Sequence, residues 1–157
     1  MPEGHSIHHA ARSQRPVLKG RKLAVSSPQG RFVEGAERLD GRTCRDVEAW
    51  GKHLLYPFAG GLHLHVHLGM YGRIREHEGA PEPQGAVRVR LEAPSPGGGV
   101  RTVDISGPAA CEVLDEAARE ALLVRLGPDP LRRDAEPERA WERIARSRVA
   151  LGQLLMD

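Results

Sequence analysis

Pro2 and Glu3 are the residues whose types and placement could do covalent chemistry in this chain. Removal of Met1 would leave a secondary amine at Pro2. Such an amine condenses with an aldehyde-like carbon to give a positively charged iminium directly. Nucleophilic amines of this kind form covalent intermediates that divide one difficult step into two easier ones. A terminal amine titrates near ~8 against ~10.4 for lysine, so more of it is unprotonated at neutral pH; proline's greater basicity narrows that advantage. Glu3, next in the chain, brings a carboxyl that can shuttle protons to a reacting sugar or leaving group. The same two residues would also serve simply to start a helix, where proline in the first turn and an acid near the N-terminus are both favourable.

Further candidates lie downstream. Lys52 sits in Gly51-Lys52-His53-Leu54-Leu55, a turn entering an apolar strand. It reads either as an ordinary edge lysine or as a point charge aimed at a phosphate or a reacting sugar. Leu68-Gly69-Met70-Tyr71-Gly72 reads as a tight loop displaying two large side chains. Met70 and Tyr71 could pack inward, or could wedge into a base stack and fill the gap left by an extruded base. His63, His65 and His67 alternate along one strand and so share a face. Imidazole is a common metal ligand, but same-face neighbours lie about 6.8 Å apart along a strand, so a metal site would need ligands from elsewhere. A solvated or DNA-facing strand surface is the expectation for these histidines.

The elements that must hold these residues follow from periodicity. Ile7, Ala10, Ala11, Gln14 and Leu18 recur at helical spacing and predict a helix over residues 3–19. Pro16 should distort or end its last turn, and Gly20 terminates it. Residues 21–27 read as a strand and 28–42 as a glycine-punctuated loop. Strands are expected near 43–50, 52–58, 61–68, 71–76, 86–93 and 100–106, separated by Gly and Pro breaks. Closely spaced strands without intervening helices predict an antiparallel sandwich or barrel. Residues 115–126 and 136–147 read as helices flanking a Gly127-Pro128-Asp129-Pro130 hinge, and 149–156 as the start of another helix without a C-cap. The predicted class is therefore α+β: an antiparallel β-sandwich with a long N-terminal helix, followed by a truncated helical segment. The expected division is residues 1–126 and 127–157.

Composition narrows the partners. At 157 residues, 39% hydrophobic and 28% charged, the chain suits a folded protein with a real core. No apolar run approaches the roughly 18 residues that would span a membrane, and the start is too polar for a secretory signal. Two cysteines, Cys44 and Cys111, argue against a disulfide framework or a four-cysteine zinc site. A cytosolic location is the default expectation. The formal charge of +2 is unevenly placed: Arg12, Arg15, Lys19, Arg21, Lys22 and Arg31 face a single acid, Glu3, in the first 31 residues. A basic face beside a nucleophile would suit a polyanion such as DNA.

Together, Met1-Pro2-Glu3-Gly4, Gly51-Lys52-His53-Leu54-Leu55, His67-Leu68-Gly69-Met70-Tyr71-Gly72, Leu126-Gly127-Pro128-Asp129-Pro130-Leu131 and Gly152-Gln153-Leu154-Leu155-Met156-Asp157 resemble the ordered landmarks of the formamidopyrimidine-DNA glycosylase/endonuclease VIII family. The Pro-Glu-Gly start is more similar to the endonuclease VIII branch. The resemblance implies a base-excision-repair glycosylase and abasic-site lyase acting as a monomer on double-stranded DNA, near the bacterial nucleoid. Pro2 would form the Schiff base and Glu3 would carry protons. Lys52 would bind the adjacent phosphate, Met70 and Tyr71 would fill the hole in the duplex, and His67 would support that loop or touch backbone. Oxidised pyrimidines are the expected bases. No cofactor is expected within this chain, since the family's zinc finger would lie beyond Asp157. His5 and Ser6 stand where the branch usually has a proline and a second acid, and asparagine, which the family uses on DNA, is absent. Two alternatives stay open: a catalytically inactive DNA-binding fragment, and a small metal-binding β-domain using histidines 63, 65 and 67.

Overall fold

The computed structural model describes residues 2–154; Met1 and the last three residues of the Gly152-to-Asp157 motif lie outside that range. Helix α1 (Gly4–Leu18) comes first, with Ile7, Ala11, Gln14 and Leu18 buried as their spacing predicts. Pro16 lies inside the helix without ending it: one turn from the C-terminus, the lost amide bond is local, and the chain stays helical to Leu18. The predicted 21–27 strand is two strands. β1 (Arg21–Lys22) pairs β3 (Thr43–Cys44) in one sheet, while β2 (Ala24–Ser26) pairs β8 (Val87–Pro94) in the other. Leu23, 1% exposed, is the corner between them.

The first sheet runs β1, β3, β5 (His53–Phe58), β6 (Leu62–His67) and β10 (Ala110–Leu114), with β4 (Glu48–Trp50) also paired to β5. The second runs β2, β8, β9 (Val100–Ser106) and β7 (Arg73–Glu78). All described pairings are antiparallel. Leu54, Tyr56, Phe58, Leu64 and Val66 from the first sheet meet Val89, Leu91, Val103 and Ile105 from the second in one hydrophobic core. This is the α+β sandwich expected from the alternating strands. Burying one such side chain contributes about 1.5–3 kcal/mol.

Three further stretches depart from the sequence reading. Helix α2 (Val33–Leu39) occupies the middle of the predicted 28–42 loop, burying Ala36 and Leu39. Its Gly35 is needed because a Cβ there would lie 2.2 Å from the Phe32 ring. Strand β10 was not expected: it is an edge strand, half-buried on most of its length, with no clean alternation to reveal it. The predicted 43–50 strand is interrupted where Asp46 turns out to take both Arg15 Nε and Nη2. Helix α3 (Glu116–Leu126) then starts on an Asp115 cap that accepts from the Ala118 amide, and α4 (Pro137–Arg146) and α5 (Leu151–Leu154) follow. No helix among the described residues is long and apolar enough to cross a membrane.

One buried hydrogen bond ties α1 to the core. The fully buried Tyr56 hydroxyl donates to Gln14 Oε1 at 2.7 Å, and burial pushes the phenol's pKa far up. Tyr56→Phe leaves the Gln14 carbonyl unsatisfied, so equilibrium urea unfolding should show a loss of about 1–3 kcal/mol.

Candidate active site

The N-terminus of α1 is packed on the β4–β5 turn. Glu3 caps the helix, and its carbonyl accepts from Ile7 N at 3.1 Å. At Gly4 a Cβ would sit 3.5 Å from the Gly51 carbonyl oxygen, which is how closely helix and turn approach. Gly51 itself has φ +57°, the left-handed conformation that a glycine adopts at no steric cost and that this turn requires. The turn delivers Lys52, whose Nζ lies 3.2 Å from Glu3 Oε2. Pro2, half-buried, precedes this pair directly. The structure thus brings Lys52 against Glu3, the neighbour of Pro2, from a position about fifty residues away in the chain.

Asp129 holds that arrangement from behind; sequence reasoning read its segment as a hinge and a family landmark and gave the acid itself no role. It is 5% exposed. Its Oδ2 accepts from the Gly51 amide at 2.7 Å and lies 2.7 Å from His8 Nε2, and its Oδ1 accepts from the Leu131 amide at 2.8 Å. Burial pushes this carboxyl's pKa up, but the Gly51 and Leu131 amides and the His8 imidazole outweigh it and hold it below the usual aspartate range. Nearby, Trp50 Nε1 donates to the Gly127 carbonyl at 2.6 Å, and the Arg132 guanidinium lies 4.4 Å over the Trp50 ring. The only signal for this anchor was a lone acid between two prolines, whose fixed backbone suits a side chain that must bond to main chain nearby.

Met70 and Tyr71 stand at 62% and 82% exposure on the loop between β6 and β7. Gly72 closes that loop, its amide donating to the Leu68 carbonyl at 3.0 Å; a Cβ at Gly72 would come within 2.3 Å of the same oxygen. His67 ends β6 beside the loop. Burial, then His65, then Lys52 push its imidazole below the ordinary range.

The histidine strand differs from its expectation. His63 and His65 are buried, not solvated or DNA-facing, because α3 packs on this part of the sheet and β10 pairs along the outer edge of β6. The three rings do not converge on one point: His63 Nε2 lies 2.8 Å from Glu116, His65 Nδ1 2.8 Å from Glu112, and His67 leans on the His53 ring with centroids 4.6 Å apart. Among the described residues no group of three or more His, Cys, Asp or Glu is arranged to hold a metal ion. The basic N-terminal face is also partly neutralised, since Arg15 and Lys19 both pair with Asp46.

The sequence profile of the formamidopyrimidine-DNA glycosylase N-terminal domain matches residues 1–111. The chain belongs to the formamidopyrimidine-DNA glycosylase/endonuclease VIII family. Among its relatives in that family, endonuclease 8 1 of Mycobacterium tuberculosis is 46% identical over 162 residues, covering 100% of this chain and 59% of the relative. Probable endonuclease 8 2 of Streptomyces coelicolor is 36% identical over 167 residues, covering 100% and 56%. The structure of Lactococcus lactis Fpg (MutM) complexed with DNA containing N7-benzyl-Fapy-dG superposes with a TM-score of 0.76 at 16% identity, covering 99% of this chain and 60% of that one. That likeness is one of fold. This family member spans less than two thirds of the length of those curated relatives.

Proposed function

We propose that this chain carries the catalytic chemistry of a DNA glycosylase and abasic-site lyase that removes oxidised bases, pyrimidines by preference. The observation that supports this most is the 3.2 Å contact between Glu3 and Lys52, one residue along from the chain start at Pro2. Family membership and the endonuclease 8 relatives support the substrate class. With Met1 removed, the Pro2 nitrogen attacks the sugar's anomeric carbon. The glycosidic bond breaks, the base leaves, and an iminium joins Pro2 to the opened deoxyribose. Glu3 delivers and accepts the protons of base loss and ring opening, while Lys52 holds the neighbouring phosphate. Extruding a base costs a few kcal/mol, and the exposed Met70 and Tyr71 would fill the vacated space in the duplex.

Borohydride reduction of the protein mixed with abasic-site DNA tests the reading. Processed wild-type chain should give a covalent adduct on a denaturing gel. Pro2→Gly with Met1 retained should abolish it, and Lys52→Ala should lower its yield at least tenfold, as loss of a positioning group does. If wild type binds abasic DNA without forming an adduct, the chain is a DNA-binding fragment and the catalytic reading fails.

A further inference from the structure

Behind Lys52 lies a polar layer that the proposed reaction does not use. His53, the first residue of β5, is cross-strand partner to His67, and Leu55 is partner to His65, whose own partner on β10 is Glu112. The side chains close a chain of hydrogen bonds through this layer. His65 Nδ1 is 2.8 Å from Glu112 Oε1, and His65 Nε2 is 2.8 Å from His53 Nδ1. The His53 and His65 rings lie side by side and nearly coplanar, with centroids 5.0 Å apart, and His53 tilts over His67 at 4.6 Å.

The direction of this chain follows from its anchor. A carboxylate only accepts, so His65 donates from Nδ1 and a neutral ring keeps its Nε2 as the acceptor. His53 must then donate from Nδ1 and keep its own Nε2 unprotonated. Fixed ring orientation through a neighbour's second nitrogen is a recurrent way to hold a histidine in one tautomer. We propose that Glu112, His65 and His53 form a relay that locks the His53–His67 pair in one orientation behind Lys52, making His53 and His65 positioning residues for that end of the sheet. The catalytic part of this inference rests on the function proposed above.

The charged and titratable groups around His53 are consistent with a neutral, locked ring. Beside His65 and His67 on β6 stand Glu112 on β10, Lys52 in the preceding turn, Glu48 on β4, and Glu116, Arg119 and Arg125 on α3. The carboxylates are engaged elsewhere: Glu48 and Glu116 with Arg119, and Glu112 with His65. Burial first, then the neighbouring His65, His67 and Arg125, push His53 down to about 4.

Two-bond proton–nitrogen correlation spectra of the full chain with labelled histidine test the relay without any substrate. His53 and His65 should both be Nδ1–H tautomers at pH 7, and His53 should stay neutral to below pH 5. An Nε2–H tautomer at His53, or protonation near the ordinary ~6.5, overturns the relay. The positioning role is read from the pH profile of borohydride trapping. His65→Leu, which removes both bonds, should slow trapping on the order of tenfold and move its acid limb toward neutral pH. His65→Gln, which can still accept from His53 and donate to Glu112, should restore the rate and profile. A His65→Leu chain with wild-type rate and profile overturns the positioning role. Absence of any adduct from wild type defeats the catalytic reading instead, and the tautomer spectra still decide the relay.

Discussion

Asp129→Ala should lower stability by about 3–5 kcal/mol, because it strips a buried carboxylate from the Gly51 and Leu131 amides and from His8. The loss should extend to function, since one of those amides belongs to the turn that presents Lys52. Urea unfolding and borohydride trapping under conditions where the variant remains folded would measure both. The pH dependence has a definite sign. Asp129's folded-state value lies below its unfolded one, so its contribution is complete above the unfolded value of ~3.9 and disappears as pH falls through the folded value. The stability gap between wild type and Asp129→Ala should therefore be flat from about pH 5 upward and close in more acidic solution. A gap that widens as pH falls would contradict the assignment of Asp129 as an ionised anchor.

Asp104→Ala should be similarly costly, for a reason remote from the site. On the outer face of the second sheet, Arg90 Nε and Nη2 donate to the two carboxylate oxygens of Asp104 at 2.7 and 2.8 Å, and Arg90 Nη1 donates to the Pro81 carbonyl. Both residues are buried, at 6% and 3% exposure. Removing one partner strands a buried guanidinium, a cost of about 3–5 kcal/mol. Replacing both together, as Arg90→Met with Asp104→Leu, should recover most of that loss, because desolvating a buried pair nearly cancels its attraction. A double-mutant cycle by urea unfolding would show this. Single and double variants of equal stability would mean the pair does not carry the buried charge as described.

What could be read from the sequence depended on how local its physical cause was. The strands of the core announced themselves because Leu62 to Leu68 and Val87 to Leu91 alternate, and alternation follows from the pleat alone. Helix α1 was legible for the same reason, its apolar residues returning every turn. Helix α2 was hidden because Gly35 and flanking glycines look like loop, while its stability comes from Ala36 and Leu39 meeting strands elsewhere. The burial of His63 and His65 was illegible for a stronger reason. A histidine-bearing strand face looks like a surface until another part of the chain covers it, and α3 lies roughly fifty residues downstream. Asp129 shows the same limit: the residues it binds, His8 and Gly51, are far away in sequence. Pro2, Glu3 and Lys52 could be named from their motifs, but only the folded chain puts Glu3 and Lys52 in contact.

Peptide mapping of the borohydride-reduced adduct by tandem mass spectrometry tests the central claim most directly. After nuclease and protease digestion of chain trapped on abasic-site DNA, the sugar-derived mass should be found on the N-terminal peptide, attached at the nitrogen of Pro2 with Met1 gone. A sugar remnant on Lys52 or another lysine, or a mature chain that retains Met1 and still forms the adduct, would contradict the assignment of Pro2 as the nucleophile.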